Sequence, residues 1–425
     1  MDRYLPIRDL FAREILDAGG RPAVEVEVLA DEDVVGAASV SLTDPERCAG
    51  RTESSREKSL SRKNAGDDSA TCAVENINCC IAQELIGTNI FDQAEIDRIL
   101  TRTGGTADGH GTGGPVTLAV SAAAARTAAG ALNIPLYRYL GGTQAAGMPL
   151  PVVDMITGGP HVRNMPDFRG FMIVPPTGET FREQLRICIR VHHEVEDILR
   201  SRGMGNIQEE RNDIQAGIRD AQEALCLIRS AAERAGRHVG GDLRIALDIG
   251  APALYDIQEK AYLFSSEGRK RGGTVLRTTG EMTEYYRELV SQFPVSLIED
   301  PFAPGDTKGW KNLSDSLPDR VRIISENLIS ADAGRPESGE SRSGAVRIDV
   351  GRTGTLTDAF EQIKKVREMG AMVEIAHMGN RTADTLASDV AVASGAGYIR
   401  GGSLCGMEHV EIYNRLLKIE EQFPF

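Results

Sequence analysis

Residues 295–299, VSLIE, form a short, mostly apolar run that stops on the carboxylate of Glu299, and Pro301 follows two positions later. Such a run is a buried β-strand rather than a helical turn. Working outward, the same signature recurs: RIALD stops at Asp248, RIISE at Glu326, AVRID at Asp349, MVEIAH at His377 and GYIR at Arg400. From Glu299 onward the stops fall 27, 23, 28 and 23 residues apart, about the length of one strand and one returning helix. That rhythm predicts a β/α barrel. A barrel of this kind gathers the carboxyl ends of its strands around one mouth, so these distant polar residues are expected to converge there.

Upstream, PLPVVDMI (149–156) and FRGFMIVP (168–175) supply two further strands, which brings the count to eight. Two helical stretches follow, FREQLRICIRVHHEVEDILR and AQEALCLIRSAAERAG, joined by the polar turn MGNIQEERND. Two strands, two helices and then strict alternation predict a modified barrel. In the first third of the chain, residues 22–42 alternate as a β-hairpin in which Val24, Val26 and Val28 share one face. Residues 43–69 are polar, rich in Ser and charge, and are expected to be mobile. Helical spacing resumes at Cys72 with a stripe of Val74, Ile77, Ile81 and Leu85, and QAEIDRIL forms another helix. The Gly-rich segment from Gly104 lacks the spacing and the terminal Lys-Ser/Thr of a phosphate-cradling loop, and an Ala-rich helix follows it.

At 425 residues and 41% hydrophobic content, the chain is long enough for a barrel and a smaller domain. Its formal net charge of −14 disfavours a nucleic acid or an anionic membrane as partner. The first residues have no apolar signal core, and no uninterrupted apolar stretch reaches bilayer length, so a cytoplasmic location is expected. The seven cysteines are scattered without zinc-site spacing, and reduced thiols are the expectation.

The segments AREILDAGGRPAVEVEV, AVENIN with IAQELIG, FDQAEIDR, GGPH with FMIVP, SLIEDPF and YNRLLKIEE together resemble the enolase (phosphopyruvate hydratase) family nearly end to end. The resemblance implies an enolase-type modified eight-stranded β/α barrel, residues 141–425, beneath an N-terminal α+β capping domain, residues 1–140. It implies Mg²⁺-dependent elimination of water from 2-phosphoglycerate by a homo-oligomer. It also identifies Asp248, Glu299 and Glu326 with the family's three metal carboxylates, hard oxygen donors that suit Mg²⁺. His161 and His377 fall on family active-site histidines, His161 with a catalytic or substrate-binding role and His377 with a substrate-binding one.

Other positions depart from the pattern. The family's general-base Lys is Asp349, for which base, added metal ligand and inert replacement all stay open, since a carboxylate starts near pKa ~3.9 against ~10.4 for Lys. A second Lys is Arg400, which keeps charge for substrate binding but not proton transfer. The phosphate-holding Arg is Met378, one acidic residue of the leaving-group pair is Gly170, and Glu210 is a possible equivalent of the other, balanced against a solvated loop carboxylate. Ser39, Ser41 and Thr43 are candidates for the covering loop. The exchanges make the site more negative than the family's, so tight binding of a phosphoglycerate requires arginines such as Arg163, Arg169, Arg352 or Arg381 to reach in. Three functions follow as expectations: an enolase-like lyase acting on 2-phosphoglycerate or a close analogue; an enolase-fold enzyme reassigned to a phosphonate or other carboxylate, such as a carboxyphosphonoenolpyruvate synthase; or a non-catalytic relative. The partner expected for either enzyme is a small phosphorylated or phosphonylated carboxylate.

Overall fold

The computed structural model describes residues 4–31, 34–42, 65–104, 113–145, 147–159, 166–203, 206–208, 213–215, 218, 220–326, 344–377 and 381–423. The amino-terminal part opens with three antiparallel strands in the order β1 (Asp9–Leu16), β2 (Pro22–Asp31) and β3 (Val34–Ser41). The expected hairpin is therefore two-thirds of a sheet. β1 escaped the alternation test because only Leu10 and Ala12 of its eight residues are buried. Helix α1 runs Ala65–Asn76, starting before Cys72, and passes through one π-helical turn at Ile77–Ile81. Most of the segment expected to be mobile, residues 43–64, lies outside the described residues. Helices α2 (Gln93–Gly104) and α3 (Gly113–Leu132) complete this part. The stretch Gly114–Leu132 is long and apolar enough by composition to cross a membrane, but it is interrupted by Thr117, Ser121, Arg126 and Thr127, and 72% of its most apolar window is buried inside the protein.

Eight strands then close a barrel: β4 (Leu150–Thr157), β5 (Gly170–Val174), β6 (Arg244–Asp248), β7 (Val295–Glu299), β8 (Arg322–Ser325), β9 (Ala345–Asp349), β10 (Met372–Ala376) and β11 (Tyr398–Gly402). Among the described residues no helix lies between β4 and β5, and β5 runs antiparallel both to β4 and to β6. Two helices, α4 (Phe181–Ser201) and α5 (Ala221–Arg234), follow in succession before β6. Each starts on a side-chain cap, Thr180 accepting from the Glu183 N–H and Asp220 from the Glu223 N–H.

The pleat sorts the barrel interior into two levels. Val152, Met172, Val174, Ala246, Leu297, Ile324 and Ala345 form an apolar plug of their own. Two residues further toward the mouth, the same strands carry Asp154, Gly170, Asp248, Glu299, Glu326 and Arg347. Register pairs Gly170 with Asp248, Asp248 with Glu299, and Arg347 with Glu374. Asp248, Glu299 and Asp349 end their strands as expected, whereas β11 continues past Arg400 to Gly402 through an irregular register.

The amino-terminal part docks onto this mouth. Arg126 on α3 makes a bidentate ion pair with Asp384 (2.7 Å for each bond), and the Ser39 N–H donates to the same carboxylate at 3.0 Å. Asp97 and Ser121 accept from the Thr357 and Leu356 N–H groups, capping helix α6 (Leu356–Glu368) just beyond Asp349. The Ala18 N–H donates to the Arg381 carbonyl at 2.9 Å. These bonds fix the two segments that leave the mouth at Asp349 and His377.

Candidate functional site

Asp248 and Glu299 are fully buried and adjacent in register. Neither faces open space. Arg400, 1% exposed, places Nη1 at 2.5 Å from Asp248 Oδ2 and 2.7 Å from Glu299 Oε2, and its Nη2 donates to Asp154 Oδ1 at 3.0 Å. A Cβ on Gly170 would lie 3.1 Å from that Nη2. The absence of a side chain at Gly170 thus leaves the space that the Arg400 guanidinium fills.

Arg347, 3% exposed, stands at the centre of the acidic group. Its guanidinium lies 2.5 Å from Glu299 Oε2, 2.8 Å from Asp300 Oδ2, 3.0 Å from Glu326 Oε2 and 3.6 Å from Asp248 Oδ2. Asp300 adopts a left-handed backbone, φ 43°, and its Oδ1 accepts from the Glu326 N–H at 3.0 Å. Arg169 Nε donates to Asp248 Oδ2 at 2.7 Å, and Arg352 pairs with the remaining oxygen of Glu326. Asp349 pairs with Arg381, and Arg352 Nε is 3.5 Å away. Arg352 opens onto a cavity of about 570 Å³ shared with Asp300, Glu326 and Trp310.

The electrostatics follow from burial against these guanidiniums. Burial pushes the Asp248 carboxyl up, but Arg169, Arg400 and Arg347 together hold it below the usual carboxylate range. At Glu299 burial outweighs the attraction of Arg400 and Arg347, and its carboxyl is raised. Burial also outweighs arginine attraction at Asp300 and Asp349, raising both. Glu374 is raised furthest, by burial and then by the Glu299 charge, and neither of its oxygens has a partner among the described residues. Burial, with Arg381 and His409 beside it, keeps His377 neutral. A bond to the Glu408 backbone works against that trend, and the His377 Nε2 is left without a partner among the described residues. That imidazole lines a cleft of about 40 Å³ with Ser39, Ser41, Gly351, Arg381 and Thr382. It has room for a water but not for a three-carbon phosphate.

Asp248, Glu299, Glu326, Asp349 and Arg400 are therefore brought into one network, with His377 beside it. His161, Glu210, Arg163, Thr43 and Met378 lie outside the described residues. Ser39 Oγ donates to Thr382 Oγ1, and Ser41 Oγ to Asp17 Oδ2. The Arg400 guanidinium, expected to face substrate, is engaged by three carboxylates. Sequence reasoning missed Arg347, Asp154, Asp300 and Glu374. The signal existed for three of them: alternation within PVVDMI, AVRID and MVEIAH turns Asp154, Arg347 and Glu374 inward.

The arrangement does not fit the Mg²⁺ implied for it. Octahedral Mg²⁺ needs oxygens at about 2.0–2.1 Å that are free of competing cations. Here a guanidinium lies against each expected ligand, both Glu326 oxygens are committed, and of these three carboxylates Asp248 and Glu299 each keep one oxygen, Oδ1 and Oε1, without a partner among the described residues. No three His, Cys, Asp or Glu among the described residues form a metal-holding group. Chemically, the mouth offers half-exposed guanidinium edges to an anion and one neutral imidazole nitrogen to a proton. Residues 7–140 match the family model for "Enolase, N-terminal domain", and residues 145–424 match that for "Enolase, C-terminal TIM barrel domain".

Proposed function

The chain belongs to the enolase family, and on that premise we propose that it is a lyase of this superfamily reassigned from 2-phosphoglycerate to another small phosphorylated or phosphonylated carboxylate. Asp349 carries the reading. At the position of the family's Lys base it holds a carboxylate clamped by Arg381 with Arg352 close by, so the strand end that would remove a carbon-bound proton is charge-paired instead. Enolase-family domains generally bind Mg²⁺, but in this chain the acids that would hold it are already engaged by arginines.

In this reading Arg352 turns toward the ligand's anionic group in the larger cavity, and Arg381, which shares Asp349 with Arg352, supports it from the far side of that carboxylate. His377 Nε2 faces the small cleft, which has room for one water, so its part in this reading is to take a proton through that water. A carboxyphosphonoenolpyruvate synthase-type reaction is one example of such reassignment. We further propose a cytoplasmic homo-oligomer; Phe11 and Leu16, exposed on the edge strand β1, support self-association, which light scattering tests.

The test is an absorbance assay for enol-phosphate formation from 2-phosphoglycerate, with and without Mg²⁺, beside a thermal-shift screen of phosphorylated and phosphonylated three-carbon acids. The expected result is no enol-phosphate signal at high enzyme concentration and a raised melting temperature with at least one acid, lost in Arg352→Ala and Arg381→Ala. Mg²⁺-dependent turnover of 2-phosphoglycerate overturns the reassignment, and a flat thermal response to every acid favours a non-catalytic protein.

A further inference from the structure

We infer that Arg347 is a built-in cation that stands where a divalent metal would otherwise bridge Asp248, Glu299 and Glu326, so that the barrel mouth is charge-balanced without one. β9 points Arg347 into the barrel by the pleat, and register sets it beside Glu374, yet no ion pair joins them among the described residues. Its guanidinium instead reaches past Glu374 to the mouth, where it touches Glu299, Glu326 and Asp300 within 3.0 Å and approaches Asp248 at 3.6 Å. All three expected metal ligands thus converge, but on a planar cation. Arg400 adds a second guanidinium to two of the same oxygens, Asp248 Oδ2 and Glu299 Oε2. Together the two arginines bring the charge that one divalent ion would bring.

Three features make the substitution permanent. A guanidinium does not lose its proton in a protein, so pH does not vacate the position. Arg347 is 3% exposed and is held at both Nη atoms, so leaving the acids would break three charge-assisted hydrogen bonds at once. The left-handed Asp300 aims one oxygen at Arg347 and the other at the Glu326 backbone, tying the strand end of β7 to that of β8. Removing such a cation leaves several buried acids uncompensated, the situation a metal would then relieve.

The inference concerns the protein without ligand and does not depend on which acid the barrel accepts. Its test uses the metals alone. Wild-type protein dialysed against EDTA is expected to melt at the same temperature with or without millimolar Mg²⁺ and to leave the electron paramagnetic resonance signal of added Mn²⁺ undiminished. Arg347→Met keeps the aliphatic stem and removes the cation. It is expected to melt lower in EDTA, to be raised by Mg²⁺, and to bind about one Mn²⁺ per chain. Arg347→Lys, which keeps the charge but not the fork, is expected to melt below wild type yet to leave the Mn²⁺ signal undiminished, so that wild type and Arg347→Lys decide the matter if Arg347→Met does not fold. Stoichiometric Mn²⁺ binding by wild type, or a melting temperature lowered by EDTA, overturns the inference. So does a folded Arg347→Met that binds no metal.

Discussion

The lower and upper levels of the barrel interior are built by the same strands, two residues apart, and obey opposite rules. The lower level, Val152, Met172, Val174, Ala246, Leu297, Ile324 and Ala345, is dry hydrocarbon, stabilised by area removed from water and indifferent to pH or salt. The upper level, with Asp154, Asp248, Glu299, Arg347, Glu374 and Arg400 all at 5% exposure or less, is almost wholly ionic. It stands because its arginines compensate Asp154, Asp248 and Glu299, while burial favours the neutral form of Glu374. One step of pleat therefore separates the part that makes the barrel from the part that gives it chemistry, and substitutions at the two levels should fail in different ways.

The largest effect is expected from breaking the upper level at its centre. Arg347→Met in the absence of metal should cost about 3–5 kcal/mol, because Glu299, Asp300 and Glu326 lose a shared buried partner; urea unfolding measures it, and a cost below about 1 kcal/mol would mean the acids do not depend on it. In the lower level, Leu297→Ala should cost about 2–5 kcal/mol through cavity formation, with ligand-induced thermal shifts unchanged in size. Gly170→Ala probes the coupling between levels and strands: its methyl meets Arg400 Nη2, so a loss of about 1–3 kcal/mol is expected, relieved in the double variant with Arg400→Lys. The smallest effect concerns pH. His377 has a folded pKa well below its ordinary value of ~6.5, so its contribution is fully present above that pH and is lost as pH falls through the acid range. Wild type should thus lose more stability between neutral pH and mildly acidic pH than His377→Gln, while the rising carboxyls of Asp300 and Asp349 act in the opposite sense in both proteins.

Much of this was legible in the sequence. The eight strands, the irregular first half and the convergence of Asp248, Glu299, Glu326, Asp349 and Arg400 follow from short apolar runs with polar stops, because parallel strands buried on both faces leave no other pattern. Attention to the last residue of each run hid what lies two positions earlier. Arg347 stands mid-strand in AVRID, two residues before the strand end, and its long side chain carries its guanidinium to the carboxylates of the mouth, so the strand-end rule passes over it. The coupling of Gly170 to Arg400 was not legible at all, since it rests on a contact between strands that are not neighbours in the chain or in the barrel. Nor could spacing reveal Asp300, whose role depends on a left-handed backbone that the sequence assigns to glycine by default.

The most direct measurement is a crystal structure of the ligand-free protein grown with Mn²⁺, with anomalous diffraction recorded at the manganese edge. The account predicts guanidinium density of Arg347 between Glu299 and Glu326 and no anomalous peak among Asp248, Glu299 and Glu326. An anomalous peak bridging those three carboxylates, with Arg347 turned away, would contradict it.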